Sequence, residues 1–288
     1  MGKIKVVSFT FVALVTFAAN SVICRLALGG GSIDAASYTM IRLLAGVIAL
    51  LILVKLGKKG KPHAKKGSWL GGITLFLYAC TLSYAYISLD TATGALILFG
   101  AVQLSILLFS YFRGDKFHLL EWLGIIIAFV GFVYLVFPLM SQPSMIGAVL
   151  MVVSGASWGM YTLVGQGSKR PLIDTCYNFV RTIPFVLILC LLTYDQLEFT
   201  NQGVLLAILS GAITSGVGYA IWYLVLPSLA TTQAAVLQLT VPIIAALGGV
   251  IFVSEPITLR LFISSVFVLG GIALVIFAKT GFLAKRES

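Results

Sequence analysis

The sequence predicts an all-α integral membrane protein with ten transmembrane helices, built as two inverted repeats of five helices. Of its 288 residues, 60% are hydrophobic and 10% are charged, whereas about a quarter of the residues of a typical soluble protein are charged. Apolar windows of roughly 20 residues, the length that crosses a bilayer, can be placed ten times along the chain. In addition, the second half of the sequence repeats the first. Together these observations predict the fold class.

The ten apolar windows follow one another with polar connections. We place them at residues 6–24, 36–56, 68–88, 91–112, 119–137, 145–165, 175–193, 203–225, 230–253 and 258–278. Because Lys and Arg concentrate in cytoplasmic loops, a cytoplasmic amino terminus is favoured: it leaves only four basic residues outside the predicted cytoplasmic segments. These are Arg25, Arg42, Arg181 and Arg260. Ten crossings then return the carboxyl terminus to the cytoplasm, which predicts an inner (plasma) membrane protein with both termini cytoplasmic.

An internal duplication relates the two halves of the chain. Residues 89–96 align with residues 229–236 without a gap, and with a drift of one residue Arg42 falls on Arg181. The predicted repeats cover residues 1–140 and 141–288. Because five spans are an odd number, the second repeat enters the membrane in the opposite orientation. Inverted repeats are typical of alternating-access transporters, whose substrate site lies near the midplane between the halves.

The first repeat carries polar side chains within its spans. Span one contains Asn20, whose buried amide needs a hydrogen-bond partner, and a bond between helices is its plainer interpretation. Span two contains Arg42, where a charge is costly unless it reaches the interface or finds a partner. We expect a lipid headgroup or a backbone carbonyl to hold it. Span three contains Tyr78 and span four contains Gln103, whereas glycines in span five favour close helix packing.

The second repeat carries aromatic side chains in the corresponding spans. Span six puts Trp158 and Tyr161 on one face, and span eight does the same with Tyr219 and Trp222. Such a stripe is typical of helix packing as well as of a binding wall, and Trp222 also suits an anchor at the membrane interface. Span seven contains Pro184, which we expect to kink its helix.

Span nine is the most informative stretch of the sequence. Small and polar residues recur there on one helical stripe. The stripe consists of Thr231, Ala234, Ala235, Gln238, Val241, Pro242 and Ala245. Pro242 removes a backbone donor and bends the helix, which lipid tolerates only where neighbouring groups or a cavity satisfy the freed carbonyl. The stripe therefore predicts a cavity or a tight helix seam.

Catalytic chemistry has little support in the sequence. Both histidines, His63 and His118, lie in predicted cytoplasmic loops, and no span has an Asp or Glu near its middle. The four cysteines have neither paired nor metal-ligand spacing, and no Walker A pattern indicates ATP. We therefore predict a protein that is not an enzyme and has no catalytic residue, cofactor or metal. The net charge of +10 follows from the loop topology and favours the lipid bilayer over nucleic acid as a partner.

A family resemblance rests mainly on the second half. Pro242, the glycine pair at 248–249 and the run Ser-Glu-Pro-Ile-Thr at 254–258 resemble the repeat signature of the EamA family in the drug/metabolite transporter superfamily. Trp158 and the arginines of spans two and seven, Arg42 and Arg181, also match that family's pattern. In the first half Val102 stands in place of the proline. The resemblance implies ten spans, cytoplasmic termini and the export or facilitated passage of small metabolites such as amino acids.

The same resemblance implies a central cavity lined by spans one, three, four, six, eight and nine. Its candidate substrate-binding residues here are Asn20, Tyr78, Gln103, Trp158, Tyr161, Tyr219, Trp222 and Gln238. Pro184 and Pro242 are the candidate kinks or gates. An aromatic wall with amides, and no full charge, suits an uncharged or zwitterionic amphipathic solute.

The sequence thus predicts a secondary transporter whose partners are a small-molecule substrate and the lipid bilayer. A drug or toxic-compound efflux protein is the nearest alternative. A membrane-embedded lipid-modifying enzyme and a non-transporting scaffold are the alternatives of other classes. The oligomeric state, a monomer included, stays open.

Overall fold

The computed structural model describes residues 2–57, 67–112, 117–136, 144–165, 168, 170–225, 228–229 and 237–286. Across these residues the chain is helical, and its β-pairing is one isolated bridge between Ile33 and Phe199. The all-α prediction is confirmed. The basic loop at 58–66, the junction at 137–143 and the start of predicted span nine at 230–236 lie outside the described residues.

The helices follow the predicted spans closely. They are α1 (Lys3–Leu28), α2 (Ala35–Leu56), α3 (Trp69–Ala85), α4 (Thr91–Phe112), α5 (Leu119–Val136), α6 (Ser144–Gly165), α7 (Pro171–Val180), α8 (Ile183–Leu192), α9 (Asn201–Leu209), α10 (Gly218–Val225), α11 (Val241–Gly248) and α12 (Leu259–Arg286). A π-helical segment, Ser210–Val217, joins α9 to α10, and a second one, Gly249–Val253, continues α11.

Seven helical stretches in the described part of the chain are long and apolar enough to cross a membrane. Three further apolar stretches coincide with predicted spans three, five and nine but are shorter. They are Trp69–Ala85, Leu119–Leu135 and Val241–Val253. At 1.5 Å per residue, about 17 residues rise roughly 25 Å against a hydrocarbon core of about 30 Å. The structure therefore supports a membrane-spanning helical protein, and the count of ten spans stays a prediction.

Helix starts are marked by short polar side chains. Asp34 accepts a hydrogen bond from Ser37 N at the start of α2, Ser68 accepts one from Gly71 N at α3, and Thr200 accepts one from Gly203 N at α9. Each satisfies one of the backbone donors that a helix leaves unpaired at its amino terminus.

Both candidate kink prolines lie just after a break in their helix. α7 ends at Val180 and α8 begins at Ile183, so Pro184 is the second residue of a new helix. Pro242 is likewise the second residue of α11, after a turn at residues 239–240. Proline fits the first turn of a helix, where its missing N–H is not needed. The polar stripe of span nine is therefore not one continuous helical face, and its members Thr231, Ala234 and Ala235 lie outside the described residues.

The packing of the helices reflects the duplication. α1 packs against the α9–α10 unit and α11, and α6, its counterpart in the second half, packs against α3 and α4. α2 packs on the first π-helical segment, as α7 and α8 pack on α3. Exchanging the two halves thus reproduces these main contacts. The halves are therefore interleaved, with the first two helices of each half packed against the other half.

The α5–α12 crossing shows the relative direction of the halves. Gly124 lies against Gly271 and Val275, whereas Gly131, farther along α5, lies against Phe267 and Val268, nearer the start of α12. The two helices, which are repeat equivalents, therefore run antiparallel. This direction is the one that inverted repeats require.

Candidate functional site

A small cavity lies where the two halves meet. Its volume is about 20 Å³, which is room for about one water molecule. Its lining residues are Phe17, Asn20, Ser21, Tyr78, Leu98, Phe99, Trp158, Thr214 and Tyr219. They come from α1, α3, α4, α6, the first π-helical segment and α10. The structure thus brings four of the eight sequence-predicted binding residues together on one cavity.

Trp158 lies at the centre of an aromatic cluster. Its ring centroid is 4.8 Å from that of Tyr78, 4.9 Å from that of Tyr219 and 5.3 Å from that of Tyr161. One turn earlier on α6, the Ser154 hydroxyl donates a hydrogen bond to the Tyr78 carbonyl at 2.9 Å, which fixes α6 on α3. The rings thereby form one wall across both halves, with neighbouring ring planes tilted by 30° to 46°.

Asn20 joins α1 to the neighbouring helices through its amide. Its Oδ1 accepts hydrogen bonds from Ser210 at 2.8 Å and from Thr214 at 3.0 Å, both on the first π-helical segment. Its Nδ2 donates to Tyr78 Oη at 3.5 Å. The interhelical hydrogen bond expected from the sequence is present, and it places the amide at the cavity.

Arg42 is the residue at this site whose position the sequence did not predict. Only 2% of it is exposed. Its Nη2 donates to Tyr78 Oη at 3.3 Å and to Ser215 Oγ at 3.4 Å, and its Nη1 lies 4.0 Å from Cys24 Sγ. The expectation of a headgroup or carbonyl contact is wrong, because α2 turns this side chain toward the middle of the molecule. A full positive charge therefore lies beside the aromatic wall.

The other predicted binding residues lie outside the cavity lining. Tyr161 is buried behind Trp158, with Oη 3.5 Å from Thr175 Oγ1, and Trp222 packs edge-on against Phe17 with centroids 5.8 Å apart. Gln103 is buried in α4. Gln238 is partly buried, and it is helical just before the break that precedes α11.

An ion pair joins the halves at one end of the molecule. Arg25 Nε donates to Glu255 Oε1 at 3.0 Å and Arg25 Nη2 lies 3.6 Å from Asp90 Oδ1. The second oxygen of Glu255 accepts from Thr91 N at 2.8 Å, which caps α4. The sequence run around Glu255, noted as a family signature, thus has a structural role at the predicted outer end.

Two equivalent aspartates clamp opposite ends of the molecule. Asp34, at the start of α2, accepts from Glu198 N at 2.8 Å, just beyond α8. Asp174, in the first turn of α7, accepts from Gly67 N at 3.0 Å, just before α3. We call these contacts the Asp34 clamp and the Asp174 clamp. Since α2 and α7 are repeat equivalents that run in opposite directions, the clamps close opposite ends.

The described residues contain no group of three or more His, Cys, Asp or Glu placed to hold a metal ion.

A helical membrane protein of two interleaved halves, with a polar and aromatic cavity between them, has the architecture of a membrane transporter. The model of the EamA-like transporter family matches residues 4–137 and 145–277. The chain therefore belongs to the EamA family of the drug/metabolite transporter superfamily.

Individual proteins are similar to this chain over most of its length. An uncharacterised protein of Pseudomonas aeruginosa is 43% identical over 277 residues, which is 96% of each chain. The threonine/homoserine exporter RhtA of Salmonella typhimurium is 29% identical over 241 residues, which cover 78% of this chain and 76% of RhtA. A protein of known crystal structure superimposes with a TM-score of 0.65 at 15% identity, covering 96% of this chain and 99% of its own. This last similarity supports the fold alone.

Proposed function

We propose that the protein is a secondary transporter that exports small amphipathic solutes, amino acids or related metabolites, by alternating access between its inverted repeats. The observation that carries the proposal is the cavity, which side chains of both halves line. Asn20 and Tyr78 come from the first half, and Trp158 and Tyr219 from the second. A solute bound there contacts both halves and so responds to their relative movement.

The small size of the cavity supports a mechanism in which the helices move. A volume of about 20 Å³ does not accommodate a solute of several heavy atoms, so loading requires the helices to separate. The Asp34 and Asp174 clamps provide breakable contacts at either end. We propose that Gln103, Tyr161, Trp222 and Gln238 face the enlarged cavity once the helices have moved.

Amino acids are the proposed solutes for two reasons. The exporter of threonine and homoserine is a relative over most of the chain. The cavity also combines hydrogen-bonding groups of Asn20 and Thr214 with aromatic faces, which suits a small molecule with both a polar head and an apolar part.

Transport by purified protein in liposomes tests this proposal. Uptake of labelled threonine, homoserine, a panel of other amino acids and the lipophilic cation ethidium is measured with and without a pH gradient. We expect saturable amino-acid flux, which Trp158→Ala lowers by about tenfold or more, because truncation of a central aromatic contact commonly has an effect of that size. The pH gradient shows whether protons drive the flux.

The matched control is Trp122→Ala. Trp122 lies in α5 with 42% of its surface exposed and outside the cavity lining, so its loss is expected to change the flux by less than about twofold. Flux of ethidium without amino-acid flux would favour the drug-efflux alternative. Folded protein that moves none of these compounds would contradict the transport proposal itself.

A further inference from the structure

Arg42 is a buried cation without an acidic partner among the described residues. The ion pairs of Arg25 with Asp90 and Glu255 do not include it. The hydrogen-bonding neighbours of the Arg42 guanidinium are neutral: Tyr78, Ser215 and Cys24. A charge inside a membrane protein is costly unless it is compensated. An arginine kept in such a position is therefore a candidate for binding an anion.

The guanidinium is separated from the cavity by a single hydroxyl group. Tyr78 Oη accepts from Arg42 at 3.3 Å and lies 3.5 Å from the amide nitrogen of Asn20. Tyr78 and Asn20 both line the cavity. Ser215, the other hydroxyl that Arg42 contacts, follows the lining residue Thr214. Next to the cavity, Arg42 Nη2 thus donates its hydrogen bonds to two neutral hydroxyl oxygens.

The repeat equivalent of Arg42 is arranged differently. Arg181 is partly buried, donates from Nη1 to the carbonyl of Tyr177 on its own helix at 3.0 Å, and lies over the ring of Trp69 at 5.8 Å. The Arg42 guanidinium also lies near an aromatic ring, 5.4 Å from the Tyr78 centroid, so the difference is that Arg181 has a backbone acceptor and that its ring, Trp69, is not part of the cavity lining. The duplication supplied an arginine to each half, and the structure directs only that of α2 toward the cavity side chains.

We propose that Arg42 is the residue that binds the carboxylate of the transported solute, which assigns the substrates to small carboxylates, zwitterionic amino acids among them. The inference rests on the proposed transport function. On loading, one carboxylate oxygen replaces the hydroxyls of Tyr78 and Ser215 on Nη2 and the other accepts from a second guanidinium nitrogen, in the paired geometry that arginine and carboxylates favour. Asn20 and Trp158 then contact the remainder of the solute.

Matched pairs of ligands test the assignment. We compare threonine with threoninamide and phenylalanine with phenylalaninamide, because each amide has nearly the shape of its acid without the negative charge. Binding to detergent-purified protein is measured by calorimetry, and transport is measured in liposomes. The wild type is expected to prefer each acid over its amide by roughly 10- to 100-fold, the range expected of hydrogen bonds to a charged group.

Variants of Arg42 then locate the preference. Arg42→Gln is expected to reduce the acid-to-amide ratio to within about threefold, whereas Arg42→Lys, which keeps the charge without the paired geometry, retains a reduced preference. Arg181→Gln is the matched control, and the ratio is expected to stay at the wild-type value. Gel filtration and the melting temperature verify that each variant is folded. If Arg42→Gln does not fold, the wild-type ratio and the intermediate ratio of Arg42→Lys provide the test.

The outcomes separate this inference from the transport proposal. Amino-acid transport with an unchanged acid preference in Arg42→Gln would overturn the role of Arg42 and leave the transport proposal intact. Transport of uncharged or cationic solutes without binding of any acid would also overturn the role of Arg42 and leave the transport proposal intact. If acids bind in a way that depends on Arg42 but no flux is measured, the carboxylate site is supported and the transport proposal is contradicted. Varying the chloride concentration, with sucrose keeping the osmolarity constant, distinguishes a general anion site: an acid preference that appears only without chloride would contradict a site built for the solute carboxylate.

Discussion

At the scale of single residues, the Tyr78 hydroxyl connects the charge of Arg42 to the amide of Asn20. Tyr78→Phe removes this oxygen and keeps the ring that stacks on Trp158. We expect the free energy of unfolding to fall by about 1.5–3 kcal/mol, because a buried charged donor loses an acceptor. Denaturation of the purified variant in detergent measures the effect.

The control for this substitution is Tyr194→Phe. Tyr194 lies in the turn after α8 and is 74% exposed, so the loss of its hydroxyl is expected to change the unfolding free energy by less than about 0.5 kcal/mol. Equal effects at the two positions would mean that the Tyr78 hydroxyl does not carry the Arg42 contact. The Arg42 site would then need to be described without Tyr78.

Individual side chains could be predicted from the sequence only where their type was informative by itself. Asn20 and Trp158 stand out in apolar spans and match a family pattern, and both line the cavity. Arg42 also stood out, but its helix is apolar on every side, so hydrophobic periodicity could not show which way it faces. Ser210 was missed because a single serine in a membrane helix is unremarkable until a partner such as Asn20 is seen.

At the scale of elements, the π-helical segment Ser210–Val217 is the feature that positions Arg42. Gly211 in this segment lies so close to α2 that a β-carbon there would overlap the backbone carbonyl of Arg42. Gly211→Ala is therefore expected to push the segment away from α2, lowering the melting temperature and weakening the acid preference several-fold. Calorimetric binding of threonine and threoninamide measures the second effect.

A glycine elsewhere provides the matched control. Gly270 in α12 has open space where its β-carbon would lie, so Gly270→Ala is expected to leave the acid preference unchanged and to keep or raise the melting temperature, since alanine favours the helix. A Gly211→Ala variant that behaves like Gly270→Ala would show that the close crossing does not set the Arg42 position.

The eighth span was predicted correctly from the sequence. The local change of its helix to i→i+5 hydrogen bonding, however, leaves no recognisable sequence pattern.

At the scale of the whole molecule, the duplication was visible in the sequence and the interleaving was not. A repeat offset shows that two segments share a fold, but it contains no information on which surfaces meet. The structure shows that α1 packs against the third and fourth helices of the other half, and α6 against those of the first. This exchange explains why residues as distant in sequence as Asn20 and Thr214 are hydrogen-bonded.

The two aspartate clamps lead to a prediction about the molecule as a whole. Asp34 and Asp174 are 140 residues apart in the sequence, the offset of the duplication, and each carboxylate holds a backbone N–H of the opposite half. If the two halves rotate relative to each other during transport, each clamp stabilises the conformation in which the cavity is closed at the end of the molecule where that clamp lies. Asp34→Asn and Asp174→Asn weaken a charge-assisted hydrogen bond and are expected to shift the conformational equilibrium in opposite directions.

Kinetics from the two sides of oriented vesicles measure this shift. Because a weaker clamp raises the population open to its side, the apparent KM on that side is expected to fall, while the KM on the other side rises, by about two- to fivefold for a modest change in the equilibrium. Asp34→Asn and Asp174→Asn should show mirror-image patterns, and the double variant should return toward the wild type. Changes of the same sign in both single variants would contradict opposed clamps, since a general loss of stability moves both sides together.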